Sequence, residues 1–467
     1  MLEVMNDLVL VYFFLLNAIY AVFFFVSVWI TYRRVRWSSI LPYEQYLGTH
    51  ELAPISILQP AYNEEATIVE SVRSTLLQQY PHFEVIVIND GSKDATLNKL
   101  KEAFALELVD RVLPEWIINQ PVLGLYRSPW QPRLLVVDKV NGGKADAMNA
   151  GIEVAQFPYL CTIDADVIME SEALMRVMEV IRRDPDRIVA CGGIIRIAND
   201  CRFEGGRMVE VRAPTKPLVV IQVLEYLRSF IAGRTALSAM NALPVISGAF
   251  AVFRRDVVLA VGGFNSHTVG EDMELVLRIH RYCREHGRPY RVVHISDPMC
   301  WTEAPDSTAI LRRQRGRWYR GLIDSLRIHR VMIGNPRYGW LGMFGLPFMV
   351  FSEFLSPMVE VFGYVVMGLR WGLGRMDPQS FWLFMGVVYM FGILLTIATI
   401  LFESWAFRRY RRVGDIVKLL AWTFLEHVGY RQWHTYWQLT GLVDYFKNRH
   451  TWGDMPRKGF TQQKTSS

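Results

Sequence analysis

Between Leu8 and Tyr32 the chain carries no charged residue, and this run restricts the folds open to it more than any other feature. At about 1.5 Å of rise per residue, a helix of that length covers a hydrocarbon core of about 30 Å. A cleavable leader would carry basic residues before its apolar core, whereas Glu3 and Asp7 precede this one and Arg33 follows it. The expectation is a spanning helix with Glu3 outside and Arg33 inside. Further spans are expected within Leu341 to Leu369 and within Phe381 to Trp405. The stretch Ile416 to Phe446 is interrupted by Lys418, Glu426, His427, Arg431 and His434, and reads as a re-entrant or interfacial segment. Its two histidines suit water or lipid headgroups rather than a metal. Glu353 and Glu360 lie seven residues apart, hence on nearly one helix face, and lipid is a costly surrounding for either. That face is expected either to border the path of a polar ligand or, with Glu353 near the cytoplasmic interface, to bond a neighbouring helix through Glu360.

The net charge of +6 comes partly from Arg33-Arg34-Val35-Arg36 and Arg408-Arg409-Tyr410-Arg411-Arg412, both directly after apolar runs. Basic groups placed there point to the cytoplasmic face of a lipid bilayer rather than to nucleic acid. The loop near Asp377 is then expected outside, and Asp94, Arg409, Arg411 and Ser467 inside. Lys447, Arg449, Arg457 and Lys458 form a basic tail that fits the same side. The resulting division is a membrane helix over 1–35, a cytoplasmic domain over 36–335 ending in an interfacial helix, and a membrane region over 336–467. Cys161, Cys191, Cys201, Cys283 and Cys300 show no Cys-x-x-Cys spacing and read as reduced thiols.

Within the polar middle, the apolar run Tyr159–Ile163 has the length of a buried strand and stops on Asp164-Ala165-Asp166. Successive side chains on a strand point to opposite sides, so the two acids meet one ligand only if the backbone turns just after Ile163. Carboxylate oxygens suit Mg²⁺ or Mn²⁺, which fill their remaining positions with water and substrate phosphates. Taken alone, such a pair is more often a solvated turn than a metal site.

Its neighbours add to it. Ile55–Leu58 alternates as a strand and ends on Gln59-Pro60-Ala61-Tyr62-Asn63-Glu64-Glu65; a helix is expected from Ala66 to Gln79, and Glu84–Ile88 is a second strand ending on Asn89-Asp90-Gly91-Ser92. Strand, helix, strand is a parallel crossover, and in such sheets the ligand lies beyond the carboxyl ends of the strands. An irregular insertion is expected from Leu106 to Arg133, then a third strand, Leu134–Val137, followed by Asn141-Gly142-Gly143-Lys144. Glycines before a helix let backbone N–H groups approach phosphate oxygens, with Lys144 adding positive charge. A Walker loop is excluded because no Ser or Thr follows Lys144, and no G-x-G-x-x-G occurs.

Past an extended and then helical stretch from Asp200 to Asn241, Val245–Phe253 reads as another buried strand. A helix expected from Met273 to His286 sets Glu271 and Asp272 at its positive end, as caps or as working acids. In Gln314-Arg315-Gly316-Arg317-Trp318, a helix brings Gln314, Arg317 and Trp318 to one face. An arginine beside an aromatic ring suits a diphosphate next to a sugar, and the same basicity suits anionic lipid or nucleic acid.

In order along the chain, Pro60-Ala61-Tyr62-Asn63-Glu64, Asp90-Gly91-Ser92, Gly143-Lys144-Ala145, Asp164-Ala165-Asp166, Glu271-Asp272 and Gln314-Arg315-Gly316-Arg317-Trp318 resemble the motifs of membrane-embedded, inverting family-two glycosyltransferases. That group includes cellulose, hyaluronan, chitin and poly-N-acetylglucosamine synthases. The resemblance runs from Pro54 to about Gly321 and implies a GT-A fold, a mixed, mostly parallel α/β sheet flanked by transmembrane helices. It implies that Tyr62, Glu64 and Asp90 hold the nucleoside, and that Lys144 binds the donor near base or diphosphate. Asp164 and Asp166 would carry Mg²⁺ or Mn²⁺, with Asp166 in direct contact. Glu271 would sit in the substrate site, Asp272 would be the general base, and Gln314, Arg317 and Trp318 would meet the diphosphate and the acceptor end. The implied reaction moves a sugar from a nucleotide-sugar donor, a UDP-sugar by preference, to a growing β-linked polysaccharide at the inner membrane. A lipid acceptor glycosylated once is the alternative, and a donor-binding protein without activity a further one. An accessory membrane or export subunit is compatible with any of them.

Overall fold

Strands β1 (Ile55–Ala61), β2 (Phe83–Asp90), β3 (Glu107–Val109), β4 (Val122–Arg127), β5 (Leu134–Lys139), β6 (Tyr159–Ile163), β7 (Val167–Met169), β8 (Ile188–Ile197), β9 (Arg202–Glu204), β10 (Arg207–Glu210), β11 (Phe250–Arg254) and β12 (Arg291–Thr302) follow one another in a computed structural model that describes residues 1–38, 52–110 and 117–447. Ten of them form one sheet in the order β3-β4-β5-β2-β1-β6-β11-β8-β12-β7, and β9 pairs with β10 apart from it. Pairing is parallel for β5-β2, β2-β1, β1-β6 and β8-β12 and antiparallel elsewhere. Hence β1, β2, β3, β5, β6, β8 and β12 run one way, while β4, β7 and β11 oppose them.

The central strands are covered on both faces, which is why β1 and β8 are buried along their whole length instead of alternating. Polar residues inside them are bonded: Gln59 donates to Ser71 Oγ at 2.6 Å and Ser56 to Glu84 Oε1 at 2.6 Å. Helices Ile68–Leu76 and Lys144–Val154 supply the crossovers. Two readings of the sequence are corrected. Residues 107–109 and 122–127 of the expected irregular insertion are strands that extend the sheet through β5. Val245–Ala249 is not strand; only Phe250–Arg254 pairs, against β6 and β8. The preceding loop owes its course to a histidine: His280 Nε2 donates to Leu243 O at 3.0 Å while Nδ1 accepts from the Tyr290 hydroxyl at 2.8 Å. Burial pulls this imidazole down to about 3, so it is neutral.

The described chain divides into two compact units, one of residues 52–110, 117–211 and 243–304 that contains the sheet, the other of residues 1–37, 212–242 and 305–447. The second unit holds the apolar segments. Helix Leu2–Ser38 is long and apolar enough to cross a membrane over Leu2–Arg34, and so is Phe381–Ala406. Leu341–Phe354 and Ser356–Gly372 form a third apolar pair, bent by 43° where Pro357 removes a backbone donor. Val413–Leu425 and Arg431–Phe446 follow, separated by a π-helical turn at Glu426–Tyr430. One charge in these segments is paired across helices. Glu360 accepts from Arg431 Nε at 2.9 Å and from the Tyr364 hydroxyl at 2.6 Å. Of the two roles open to Glu360, the structure gives it the helix-to-helix bond. His434 stacks on Tyr430 and His427 packs against Tyr389, so both rings lie against protein as well as beside the surface. Ser467, Arg449, Arg457 and Lys458 lie outside the described residues.

Candidate active site

The loops that leave β1 and β2 are laced together by side chains answering backbone donors. Asn63 N donates to Ser92 Oγ at 3.0 Å, Lys93 N to Asn63 Oδ1 at 2.8 Å, and Glu64 N to Thr96 Oγ1 at 2.9 Å. The Glu64 carboxylate accepts from Thr67 Oγ1 at 2.8 Å, and Tyr62 stands exposed beside it. Asn63 has φ 55°, a left-handed turn that asparagine tolerates.

Asp90 ends β2 and is buried. Its Oδ1 accepts from Gly142 N at 2.9 Å and pairs with Lys139 Nζ at 3.0 Å; its Oδ2 accepts from Gly143 N at 2.8 Å. Burial raises the pKa of Asp90 above the ordinary aspartate value, and these three donors pull against it. The glycine turn therefore spends its N–H groups on a carboxylate of the protein, which corrects the expectation that they face a phosphate. Lys139, fully buried, also reaches Asp146 Oδ2 at 2.7 Å. Neither Lys139 nor Asp146 was singled out from the sequence. A signal existed, because the parallel register sets Asp90 opposite Lys139, one charge at each strand end.

After Ile163 the backbone does turn: Val167 N bonds back to Asp164 O at 3.3 Å, with Ala165 and Asp166 between. Asp166 is buried and accepts from Thr302 Oγ1 at 3.4 Å, while Asp164 remains partly open. Lys144, at the start of its helix, lies 2.5 Å from Asp164 Oδ1 and 3.6 Å from Glu271 Oε1. Burial alone would lower its proton affinity, but Asp164, Glu271 and Asp272 outweigh burial and hold Lys144 above the usual lysine range. The acids at 271 and 272 occupy the first turn of helix Glu271–Glu285, which begins earlier than the sequence suggests. Asp272 Oδ2 accepts from Gly248 N at 3.1 Å and Oδ1 from Met273 N at 2.8 Å, which fixes the plane of its carboxylate. A Cβ at Gly248 would lie 3.0 Å from Lys144 Nζ, so a larger residue there would crowd the ammonium. Beyond it, Asn149 exchanges two bonds with Phe264, at 2.9 and 2.7 Å, and ties the Gly262-Gly263 turn to the Lys144 helix.

Lys144, Asp164, Glu271 and Asp272 thus meet through bonds that join three distant stretches of chain. Tyr62, Glu64 and Asp90 lie at the ends of the neighbouring strands. Gln314, Arg317 and Trp318 belong to the other unit, on helix Thr308–Ile328, with Gln314 buried, Arg317 half-buried and Trp318 exposed. Gly316 in that motif is a packing residue, since a Cβ on Gly441 would come within 3.0 Å of its backbone. All five cysteines are free. Among the described residues, no three His, Cys, Asp or Glu side chains are grouped as metal ligands.

A mixed sheet, mostly parallel, with acids and a lysine gathered beyond its carboxyl edge is the GT-A class of α/β domain. Residues 56–262 match the family profile described as glycosyl transferase family 2. Over 292 residues it is 29% identical to the poly-beta-1,6-N-acetyl-D-glucosamine synthase of Staphylococcus aureus (strain COL), covering 62% of this chain and 59% of that protein. The Staphylococcus epidermidis protein of the same description is 27% identical over 270 residues, 57% of this chain and 54% of its own. The chain therefore matches somewhat over half the length of these relatives. A solved mannosyltransferase, PcManGT from Pyrobaculum calidifontis in complex with GDP-Man and Mn2+, aligns with 90% of this chain and 99% of its own at 16% identity and TM-score 0.49.

Proposed function

We propose that the protein is a membrane-bound, inverting glycosyltransferase that adds sugars from a UDP-sugar, N-acetylglucosamine by preference, to a growing β-linked polysaccharide. The observation that carries this reading is the meeting of Lys144 with Asp164 and Glu271 beside Asp272, at the edge where the strands end. The poly-N-acetylglucosamine synthases that the chain resembles supply the sugar and the polymer. Helix Leu2–Ser38 and the apolar segments after Leu341 support the bilayer, with the sheet domain on the cytoplasmic side where basic clusters follow apolar runs.

Asp164 and Asp166 would hold the divalent ion, Mg²⁺ or Mn²⁺. The fit is supported by Lys144, whose ammonium already draws the carboxylates of Asp164 and Glu271 onto a positive charge. Such an ion supplies charge neutralisation at the diphosphate. Tyr62, Glu64 and Asp90 would hold the nucleoside, and Lys144 the donor's phosphates, with Glu271 keeping Lys144 in place. Arg317 and Gln314 would bind the diphosphate, and Trp318 the acceptor end. Asp272 takes the proton of the attacking acceptor hydroxyl while that oxygen bonds to the anomeric carbon, and the carbon–phosphate oxygen bond breaks with its electron pair leaving on UDP. Attack opposite the leaving group turns an α-linked donor into a β-linked product.

Asp272→Asn keeps size and removes basicity, so transfer is expected to fall by about a thousandfold or more with UDP affinity retained. Wild-type turnover in that variant would refute the role of the base. Chelation is expected to stop transfer and Mg²⁺ or Mn²⁺ to restore it; full activity in excess chelator would leave Lys144 and Arg317 as the only counter-charges.

A further inference from the structure

Arg315 is the one cation of the Gln314–Trp318 run to which the motif gives no task. Its guanidinium is buried and forms an ion pair with Glu225. Glu225 in turn accepts from the Tyr430 hydroxyl at 3.1 Å. Three residues along the same helical face, Arg228 binds Glu426 through both terminal nitrogens, Nη1 to Oε2 at 2.7 Å, and donates to Thr396 Oγ1 at 2.7 Å. Segment 217–234 therefore ties helix Thr308–Ile328 to the π-helical turn Glu426–Tyr430. On its other side, the Arg315 guanidinium carbon lies 4.5 Å from the centre of the Trp318 ring, and that ring is 41% exposed.

Stability explains this arrangement poorly, because a buried ion pair is often matched or bettered by apolar residues of the same volume. Orientation explains it better. A half-exposed indole is free to change rotamer unless something flat and fixed supports it, and a guanidinium held by a carboxylate is both, which an ammonium is not.

We propose that Arg315 is a positioning residue for the acceptor: held by Glu225 and Tyr430, it backs one face of the Trp318 indole and leaves the other face for the C–H side of a pyranose ring. The proposal rests on the acceptor reading of Trp318 given above. It also accounts for the placing of Tyr430, at the break between two helices, against a residue of the catalytic motif.

The test uses the full chain in lipid nanodiscs, labelled with 5-fluorotryptophan, with the Trp318 fluorine resonance identified by its loss in Trp318→Phe. With UDP present, titration with a β-linked N-acetylglucosamine oligosaccharide is expected to shift that resonance in the wild type. Arg315→Lys keeps the charge and removes the plane, and Glu225→Gln keeps the shape and removes the ion pair. Each is expected to move the Trp318 resonance before any sugar is added and to weaken oligosaccharide binding about tenfold, with the other tryptophan resonances in place. Wild-type Trp318 resonance and wild-type affinity in both variants would overturn the proposal. If either variant unfolds, Tyr430→Phe, which deletes one hydrogen bond, is expected to shift the resonance in the same direction, and no shift would overturn it. A wild type whose Trp318 ignores the oligosaccharide would refute the acceptor reading, while the sugar-free spectra still decide whether Arg315 sets the ring.

Discussion

Gly248 offers the sharpest test of the active-site geometry, because the effect of one added methyl group can be worked out from the structure. A Cβ built there lies 3.0 Å from Lys144 Nζ and 3.5 Å from Asp272 Oδ2, and the residue's own N–H holds Asp272 at 3.1 Å. Comfortable contacts to carbon begin at about 3.5 Å, so Gly248→Ala pushes the ammonium back by about 0.5 Å. Lys144 can yield, since it is the end of a flexible side chain, but retreat lengthens its contact with Asp164. A displacement of about 1 Å at reacting groups costs about a hundredfold in rate, so about tenfold is expected here in kcat/KM. Gly248→Val adds carbons facing Asp272 and is expected to lose about a hundredfold or more. Gly233 is the control, since a Cβ there meets nothing within 4 Å. Radiolabelled sugar transfer gives kcat/KM, and thermal unfolding checks the fold. Gly248→Ala within about twofold of wild type at unchanged stability, or an equal loss in Gly233→Ala, would refute the reasoning.

Two further expectations concern the frame around the site. Lys139→Met leaves Asp90 and Asp146 facing each other without their buried cation, and should destabilise the domain by about 3 to 5 kcal/mol, read as a lowered thermal midpoint; an unchanged midpoint would mean the pair is dispensable. His280 is neutral in the folded protein and titrates near 3, below the ordinary value of about 6.5, so the unfolded chain binds the extra proton between these limits. Stability should fall with acidification through that window, by about 1.4 kcal/mol per pH unit below about 6.5. His280→Asn should flatten this dependence, and an unaltered slope would assign the loss to other groups.

What the sequence made legible follows from what each signal encodes. The run Tyr159–Ile163 with its two acids encodes a strand and a turn within eight residues, and both formed as read. The crossovers around β1, β2 and β5 were legible for the same reason, since apolar runs of strand length alternate there with short helices. Val245–Ala249 misled because Ile246 and Ala249 are buried without pairing, which periodicity does not distinguish from a strand. Donors around Asp90 escaped notice because a glycine turn announces free N–H groups without saying which anion takes them. Glu360 and Arg431 could not be matched by local spacing, since 71 residues separate them. The meeting of Lys144 with Asp164 and Glu271 was expected only through the resemblance, because no local rule links three stretches so far apart in the chain.

The central claim is a transfer reaction with inversion, and product analysis tests it most directly. Purified full-length protein in lipid, supplied with UDP-N-acetylglucosamine, Mg²⁺ or Mn²⁺ and an oligosaccharide primer, should yield products lengthened by whole sugar units in mass spectra, with β-configured new linkages in proton NMR. Asp272→Asn, handled identically, should yield none. Linkages of α configuration, or equal product from wild type and Asp272→Asn, would contradict the account.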